Sequence, residues 1–188
     1  MGFTSLNHHL DRNGLVEASK RTRKDGAAGV DGPTANDEGL TLVDNRESLL
    51  ERAQSGTSFA SPVRRVPIPK GTGKETRPLG SPTLEDKILP RAVVLVLEPI
   101  YEPDFLDCSY GFCPGRSALM ALAALRQHVM DRRGCWLLEG DIRKYFDTLD
   151  HAHRRSRLRQ RVRDGVLRRP IDKGLKAGVL EDGNVSYP

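Results

Sequence analysis

The spacing of apolar residues along the chain predicts a series of helices. They lie within residues 1–24 and over residues 38–54, 82–99, 117–130, 150–164 and 165–177. Residues 82–99 are strongly apolar, which favours a largely buried helix, although Pro90 falls inside it. Pro170 falls inside the last predicted helix. An interior proline removes a backbone hydrogen bond and costs about 3 kcal/mol, so both positions predict a helix defect.

A second pattern predicts strands. Residues 62–80 contain the β-forming residues Val63, Val66 and Ile68 followed by a Gly-Thr-Gly turn, which is typical of a hairpin. The prolines of this hairpin predict a sheet edge or an irregular strand. Residues 135–141 form a short apolar run, predicted to be a buried strand that delivers Asp141 to the end of a sheet. Another strand is predicted to begin at residues 185–188.

Charge is distributed unevenly over the 188 residues. The net charge is +5, yet residues 151–173 carry nine Arg or Lys against two Asp. The positive charge of this one segment is therefore larger than the net charge of the whole chain. A dense basic stretch on a compact domain indicates a polyanionic partner such as nucleic acid. A solvated helix face is the alternative, and charge alone does not decide between the two.

Several functional classes are not favoured. The three cysteines form no Cys-x-x-Cys pair, so no zinc site or disulfide framework is predicted. No apolar run reaches the length of a membrane span, and the first residues do not resemble a secretory signal. The sequence thus predicts a cytoplasmic protein that does not bind membranes.

Six short segments carry a family resemblance when they are taken in order. They are residues 26–32 (GAAGVDG), 64–70 (RRVPIPK), 77–83 (RPLGSPT), 109–117 (SYGFCPGRS), 141–147 (DIRKYFD) and 177–183 (AGVLEDG). Together they resemble the reverse transcriptases encoded by group II introns, which copy RNA into DNA and also act as maturases. The resemblance implies an α+β fold comprising the fingers and the beginning of the palm of a right-hand polymerase.

The resemblance also implies a division of the chain into three parts. Residues 1–60 would be an N-terminal helical extension leading into the fingers, residues 61–132 the fingers, and residues 133–188 a partial palm with basic helices. The sequence given lacks the Tyr-x-Asp-Asp box, which carries two of the family's catalytic carboxylates. We therefore expect a truncated polymerase that is inactive alone.

The resemblance assigns the catalytic role to Asp141 as a metal-binding carboxylate, with the Ile142 carbonyl as a second ligand. The implied cofactor is Mg²⁺, which prefers hard oxygen ligands. Phosphoryl transfer by two metal ions needs more than one carboxylate, so the site is expected to be incomplete. Without the resemblance, a lone Asp after a strand indicates a helix cap or a turn.

Four other residues match the family's nucleotide-binding positions. Lys70 and Arg77 correspond to the cations that clamp the triphosphate of the incoming deoxynucleotide, and their chemistry suits phosphate oxygens. Arg116 corresponds to an Arg near the nascent base pair, and Phe146 to the gate that excludes a ribose 2′-hydroxyl. From the residues alone, exposed cations and a core aromatic are the alternatives.

RNA, as intron or template, is the partner that the resemblance implies, and Arg154, Arg157, Arg161 and Arg168 are the residues predicted to bind it. Three interpretations stay open: part of an enzyme completed by another chain, a non-catalytic RNA-binding module, or an inert relic. Loss of neighbouring strands around Trp136–Leu138 also predicts self-association through an exposed palm edge.

Overall fold

A computed structural model of the protein describes residues 2–23, 26–32, 42–69, 71, 76–132 and 136–187. The helices are α1 (Arg12–Arg21), α2 (Leu42–Ser55), α3 (Leu84–Tyr101), α4 (Ala118–Arg132), α5 (Tyr145–Thr148), α6 (His151–Arg161) and α7 (Gly165–Gly174). The strands are β1 (Val63–Pro69), β2 (Thr76–Ser81), β3 (Val179–Glu181) and β4 (Asn184–Ser186). This mixed content agrees with the predicted α+β class.

The strands form one mixed sheet in the order β2-β1-β3-β4. The predicted hairpin is present as the antiparallel pair β1–β2, in which Ile68 lies opposite Arg77. Strand β1 also pairs in parallel with β3, where Val63 lies opposite Val179. Strands β3 and β4 are antiparallel neighbours, so the strand predicted near the end of the sequence exists but begins at Asn184.

The prediction that prolines confine the hairpin to a sheet edge holds for β2, which is an edge strand and contains Pro78, but only in part for β1. β1 lies between two strands at Val63 and Arg64, the residues that pair with β3. Its prolines, Pro67 and Pro69, come after that short ladder has ended. They therefore remove no hydrogen bond between β1 and β3, and β1 tolerates them within an internal strand.

The fully buried core joins the beginning of the described chain to its last third. The largest completely buried side chains are Leu10, Leu15, Val162 and Leu167. Phe3 and Val162 form a parallel bridge, in which the Phe3 amide donates to the Arg161 carbonyl at 2.7 Å. Helix α2 packs against both α1 and α7, which closes this part of the core.

Helix α3 begins at a hydrogen-bonded cap. The Asp86 amide donates to the Thr83 hydroxyl at 3.2 Å, and that hydroxyl donates to the Asp86 carboxylate at 2.7 Å. A side chain added at Gly29 would approach the Thr83 backbone to 2.7 Å, so this position requires glycine. The predicted defect at Pro90 does not end the helix, which is continuous from Leu84 to Tyr101.

The chain divides into two compact units. Unit one comprises Met1–Leu97 with His151–Pro188, and unit two comprises Glu98–Asp150. These units are defined by compactness, whereas the three-part division into extension, fingers and palm follows from the family resemblance. The three-part division stays a prediction. Within the described ranges, we find no helix long and apolar enough to cross a membrane.

Unit two contradicts one predicted element. Residues 136–141 form no strand, and Trp136 and Leu138 are 98% and 96% exposed. The predicted buried strand at residues 135–141 is therefore wrong for its described part. A strand requires a backbone partner, and none of the described strands pairs with this segment. The apolar composition of residues 136–141 is therefore not sufficient to make them a strand.

Candidate functional site

The basic segment folds into α6 and α7, and internal contacts hold several of its cations. Arg155 forms an ion pair with Asp172 at 2.6 Å, which joins the two helices. The Lys173 ammonium donates to the carbonyls of Gly56 and Ser58. Arg168 donates to carbonyls of the α6–α7 junction, and Arg169 donates to the Gln54 carbonyl at 3.4 Å. We call these four residues the tethered cations.

Another set of arginines lies along one side of α6. Arg154, Arg157 and Arg161 follow a three- and four-residue spacing, which places them on one helix face about 10 Å in length. We call them the arginine stripe. The Arg157 guanidinium contacts the His153 imidazole at 3.4 Å. Among the described residues, Arg154 forms no hydrogen bond or ion pair, so its guanidinium is available to a ligand.

Asp164 was not singled out from the sequence, yet its carboxylate organises this region. One of its oxygens accepts from the amides of Leu6 at 2.6 Å and Asn7 at 2.9 Å. The other oxygen accepts from the Val166 amide and caps α7. Burial raises the pKa of Asp164, but these backbone hydrogen bonds outweigh it and the net pKa is lowered. The Asp-Gly pair at the start of α7 is a capping signal that the sequence shows. The hydrogen bond between Leu6 and Asp164 joins residues 158 positions apart, and the sequence carries no local signal for it.

The predicted catalytic residues lie together in unit two. Asp141, Ile142 and Phe146 line one open depression of about 520 Å³, with Lys144 and Tyr145 beside them. Asp141 is exposed, and the aromatic rings of Tyr145 and Phe146 meet edge to face at 5.3 Å. Lys144 has φ +52°, a strained conformation that turns the chain into α5.

The implied Mg²⁺ site is not complete in this arrangement. Within the described parts of the chain, no group of three His, Cys, Asp or Glu side chains could hold a metal ion. Two-metal phosphoryl transfer requires several oxygen ligands around ions about 4 Å apart. Asp141 and the Ile142 carbonyl therefore do not fit a catalytic pair of Mg²⁺ ions by themselves.

Arg116 makes internal contacts within its own loop. One terminal nitrogen, Nη1, donates to the carbonyls of Leu106 at 3.2 Å, Asp107 at 2.7 Å and Ser109 at 2.7 Å. The guanidinium also lies 6.0 Å from the centre of the Tyr110 ring. Its predicted contact with a nucleotide stays a prediction, because these bonds engage one nitrogen of the guanidinium and not all of it.

The structure describes one of the two residues predicted to clamp the triphosphate. Arg77 is exposed on β2, whereas Lys70 lies outside the described residues. A depression of about 360 Å³ beside Leu79–Ser81 is bordered by Arg23, Lys87 and Arg91. The Lys87 ammonium donates to the Ala27 carbonyl at 2.8 Å. Sequence analysis missed these cations, since they come from separate segments of unit one.

Comparison with known proteins identifies the class as proteins encoded within introns. The chain is 40% identical over 136 residues to the group II intron-encoded protein LtrA of Lactococcus lactis subsp. cremoris, covering 72% of this chain and 22% of LtrA. It is 35% identical over 147 residues to an uncharacterized 91 kDa protein in the cob intron of Schizosaccharomyces pombe, covering 77% of this chain and 18% of that protein. No family model matches.

A bacterial relative extends the match over more of the chain. Protein YkfC of Escherichia coli (strain K12) is 38% identical over 175 residues, which is 90% of this chain and 46% of YkfC. The chain thus spans less than half the length of these curated relatives. It belongs to the family of group II intron-encoded proteins, and the resemblance found in its motifs is confirmed.

Proposed function

We propose that the chain forms the fingers and the beginning of the palm of a group II intron reverse transcriptase, and that it binds RNA through α6. The supporting observation is the contrast within the basic segment: the tethered cations stabilise the fold, whereas Arg154 forms no hydrogen bond or ion pair among the described residues, and Arg157 and Arg159 are exposed on α6. Guanidinium groups bind phosphate oxygens in a bidentate manner, which suits a nucleic-acid backbone. A cytoplasmic location belongs to the same proposal.

Salt dependence of RNA binding tests this proposal. Each phosphate contact on a single strand contributes about −0.7 to the slope of log K against log salt. Replacing Arg154, Arg157 and Arg159 with Gln should weaken binding to a single-stranded RNA and flatten the slope by about 2. The dissociation constant is measured by fluorescence anisotropy at a series of salt concentrations.

A charge-matched variant controls for the loss of net charge. Lys20, Arg64 and Arg126 are exposed cations outside the basic segment, and changing all three to Gln removes the same charge. This control should retain the slope of the unaltered chain. An unchanged slope in the α6 variant, or equal flattening in both variants, would move the RNA site away from α6.

The deoxynucleotide site is the second part of the proposal. It assigns Arg77, with Lys70, to the triphosphate, Arg116 to the region of the base pair, and Phe146 to exclusion of the 2′-hydroxyl. Asp141 would supply one of the carboxylates that hold the metal ions at this site. The shared depression around Asp141, Ile142 and Phe146 supports this assignment.

We expect no DNA synthesis by the chain alone. A primer-extension assay with Mg²⁺, a poly-rA template and an oligo-dT primer measures it, and Asp141→Ala is the control. Synthesis above background that disappears in Asp141→Ala would show that this chain carries a sufficient catalytic site. The proposal also includes association between copies through exposed apolar residues of unit two.

A further inference from the structure

The loop between the turn at Glu102–Asp104 and helix α4 is tightly organised for an irregular segment. Its backbone forms turns through the Ser109 amide to the Leu106 carbonyl at 2.9 Å and the Arg116 amide to the Cys113 carbonyl at 3.2 Å. Cys113 is buried, which anchors the middle of the loop. A segment with this many fixed points can hold one side chain in a defined place.

Arg116 supplies the largest set of these fixed points. Its three bonds to carbonyls close the first half of the loop on the second half. The side chain is 25% exposed and lies within 3.8 Å of the Asp107 carboxylate. All three bonds come from Nη1, so a lysine ammonium could supply as many donors, whereas a side chain without a donor, such as methionine, could not hold the loop closed.

Phe112 is the side chain that the loop displays most fully. Its backbone has φ +59°, a conformation that residues with a Cβ adopt rarely, and its ring is completely exposed. A bulky residue persists in such a conformation when its surroundings impose it, and such outliers cluster at functional sites. The loop therefore exposes an aromatic ring that the hydrophobic effect alone would bury.

The surroundings of Phe112 favour a flat ligand. A side chain added at Gly111 or Gly115 would meet no atom within 4 Å, so space is open on both sides along the loop. Phe105 and Leu106 of the same loop are also exposed, at 52% and 72%, so the loop displays three apolar side chains, of which Phe112 is the most exposed. Unpaired bases bind proteins by stacking on single aromatic rings, whereas stable protein docking requires a much larger surface.

We propose that Phe112 stacks on an unpaired RNA base and that Arg116 is the residue that positions it. This inference rests on the proposed RNA binding and adds the kind of contact by which unit two takes part. Stacking on an aromatic side chain tolerates every base, since each has a π face. The contact is therefore expected to add affinity without sequence preference.

Two RNAs of equal charge separate stacking from phosphate contacts. One is a single-stranded 12-nucleotide RNA, and the other has the same ribose-phosphate backbone without bases. Phe112→Leu should weaken binding of the base-bearing RNA about 5- to 100-fold and leave binding of the abasic RNA unchanged. Phe112→Trp should retain the affinity, and both variants should keep the salt slope of the unaltered chain.

Phe112→Gly guards against a folding artefact, because glycine adopts φ +59° without strain. It should melt at or above the temperature of the unaltered chain and show the same selective loss of affinity. Phe59→Leu is the matched control, since Phe59 is an exposed aromatic of unit one. It should leave the affinity for both RNAs unchanged.

Arg116→Met tests the positioning role, because methionine cannot donate to the three carbonyls. It should reproduce the loss seen in Phe112→Leu for the base-bearing RNA, and the double variant should lose no more than either single variant. A loss for both RNAs with a flatter salt slope would make Arg116 a phosphate contact and overturn its positioning role.

The outcomes also separate this inference from the proposed function. Equal affinity of Phe112→Leu and the unaltered chain for the base-bearing RNA, with the salt slope intact, would overturn the stacking contact and leave RNA binding by α6 standing. Equal weakening on both RNAs by Phe112→Leu would likewise overturn it. Failure of the unaltered chain to bind either RNA would overturn both proposals.

Discussion

Unit one and unit two differ in how their apolar residues are used. The buried core residues come almost entirely from unit one, including Leu10, Leu15 and Leu167. In unit two, α4 has no buried residue among those described, and Leu119, Leu122 and Met130 are each more than 60% exposed. Apolar residues therefore form a core in one unit and an exposed surface in the other.

The range of the contacts explains the difference. Unit one is joined by side-chain hydrogen bonds between residues far apart in sequence, such as Asp164 with Leu6 and Lys173 with Gly56. In unit two, the bonds of Arg116 reach at most ten residues along the chain. Local bonds shape loops and helix ends, whereas a core requires segments that return to one another.

The largest effect is expected from the unit-one core. Leu15→Ala should lower the free energy of unfolding by about 2–5 kcal/mol, because Leu15 is completely buried and the cavity cannot be refilled by small shifts. The matched change Leu122→Ala in α4 should alter it by less than about 0.5 kcal/mol. Urea denaturation followed by circular dichroism measures both. Equal destabilisation would mean that α4 is part of a core.

The next effect concerns the carboxylate that joins distant segments. Asp164→Asn should lower the free energy of unfolding by about 1–3 kcal/mol at neutral pH, since the amides it binds lose a charged acceptor. The pKa of Asp164 is lowered from its ordinary value of 3.8. Its contribution is therefore fully present above that value and is lost as pH falls through the lower pKa of the folded state.

Asp86 provides a control of opposite sign. Burial raises the pKa of Asp86 above its ordinary value, although hydrogen bonds from Thr83 and Ser61 partly oppose this. Its contribution to stability should thus increase as the pH falls through its raised pKa and decrease at higher pH. Urea midpoints from pH 7 to 3 should change less steeply in Asp164→Asn than in the unaltered chain. An identical pH profile would contradict the role of Asp164.

A smaller gain is expected from the helix prolines. Pro90 is exposed within α3, so Pro90→Gln should restore a backbone donor and raise the free energy of unfolding by about 1 kcal/mol. Pro170 is buried within α7, so Pro170→Ala should gain less because it also removes packed atoms. Thermal melting compares the two. A lower melting temperature for Pro90→Gln would show that Pro90 stabilises α3 rather than destabilising it.

The smallest effect on stability is expected on the exposed face of α4. Leu119→Gln with Leu122→Gln should change the free energy of unfolding by less than about 0.5 kcal/mol and should reduce association between copies. Sedimentation velocity over a range of concentrations measures the association. Phe59→Gln in unit one is the control, and equal association of the α4 variant and the unaltered chain would place the contact elsewhere.

Sequence analysis predicted the local elements better than their pairing. Helical periodicity identified α1–α4, α6 and α7, and the Val and Ile residues before a glycine-containing turn identified the hairpin. The apolar run before Asp141 was misread, because apolar residues fit a buried strand only where a neighbouring strand exists. The parallel β1–β3 pair left no local signal, since its residues are more than 100 positions apart.

The candidate site shows the same limit. Asp141, Ile142 and Phe146 belong to one motif and line one depression, while their predicted roles stay predictions. Counting cations over residues 151–173 could not separate the tethered cations from the arginine stripe, because the partners of Arg169 and Lys173 lie at the end of α2 and in the loop after it. Helix geometry alone would have grouped Arg154, Arg157 and Arg161, and it is the signal to use in similar sequences.

The bridge between Phe3 and Val162 has a consequence for biosynthesis. A ribosome makes residue 3 long before residue 162, so the first strand-like segment must wait for its partner while all of unit two emerges. The Leu6 and Asn7 amides likewise wait for the Asp164 carboxylate. Unit one therefore completes its fold late in translation, and until then its apolar N-terminal residues lack the partners that bury them.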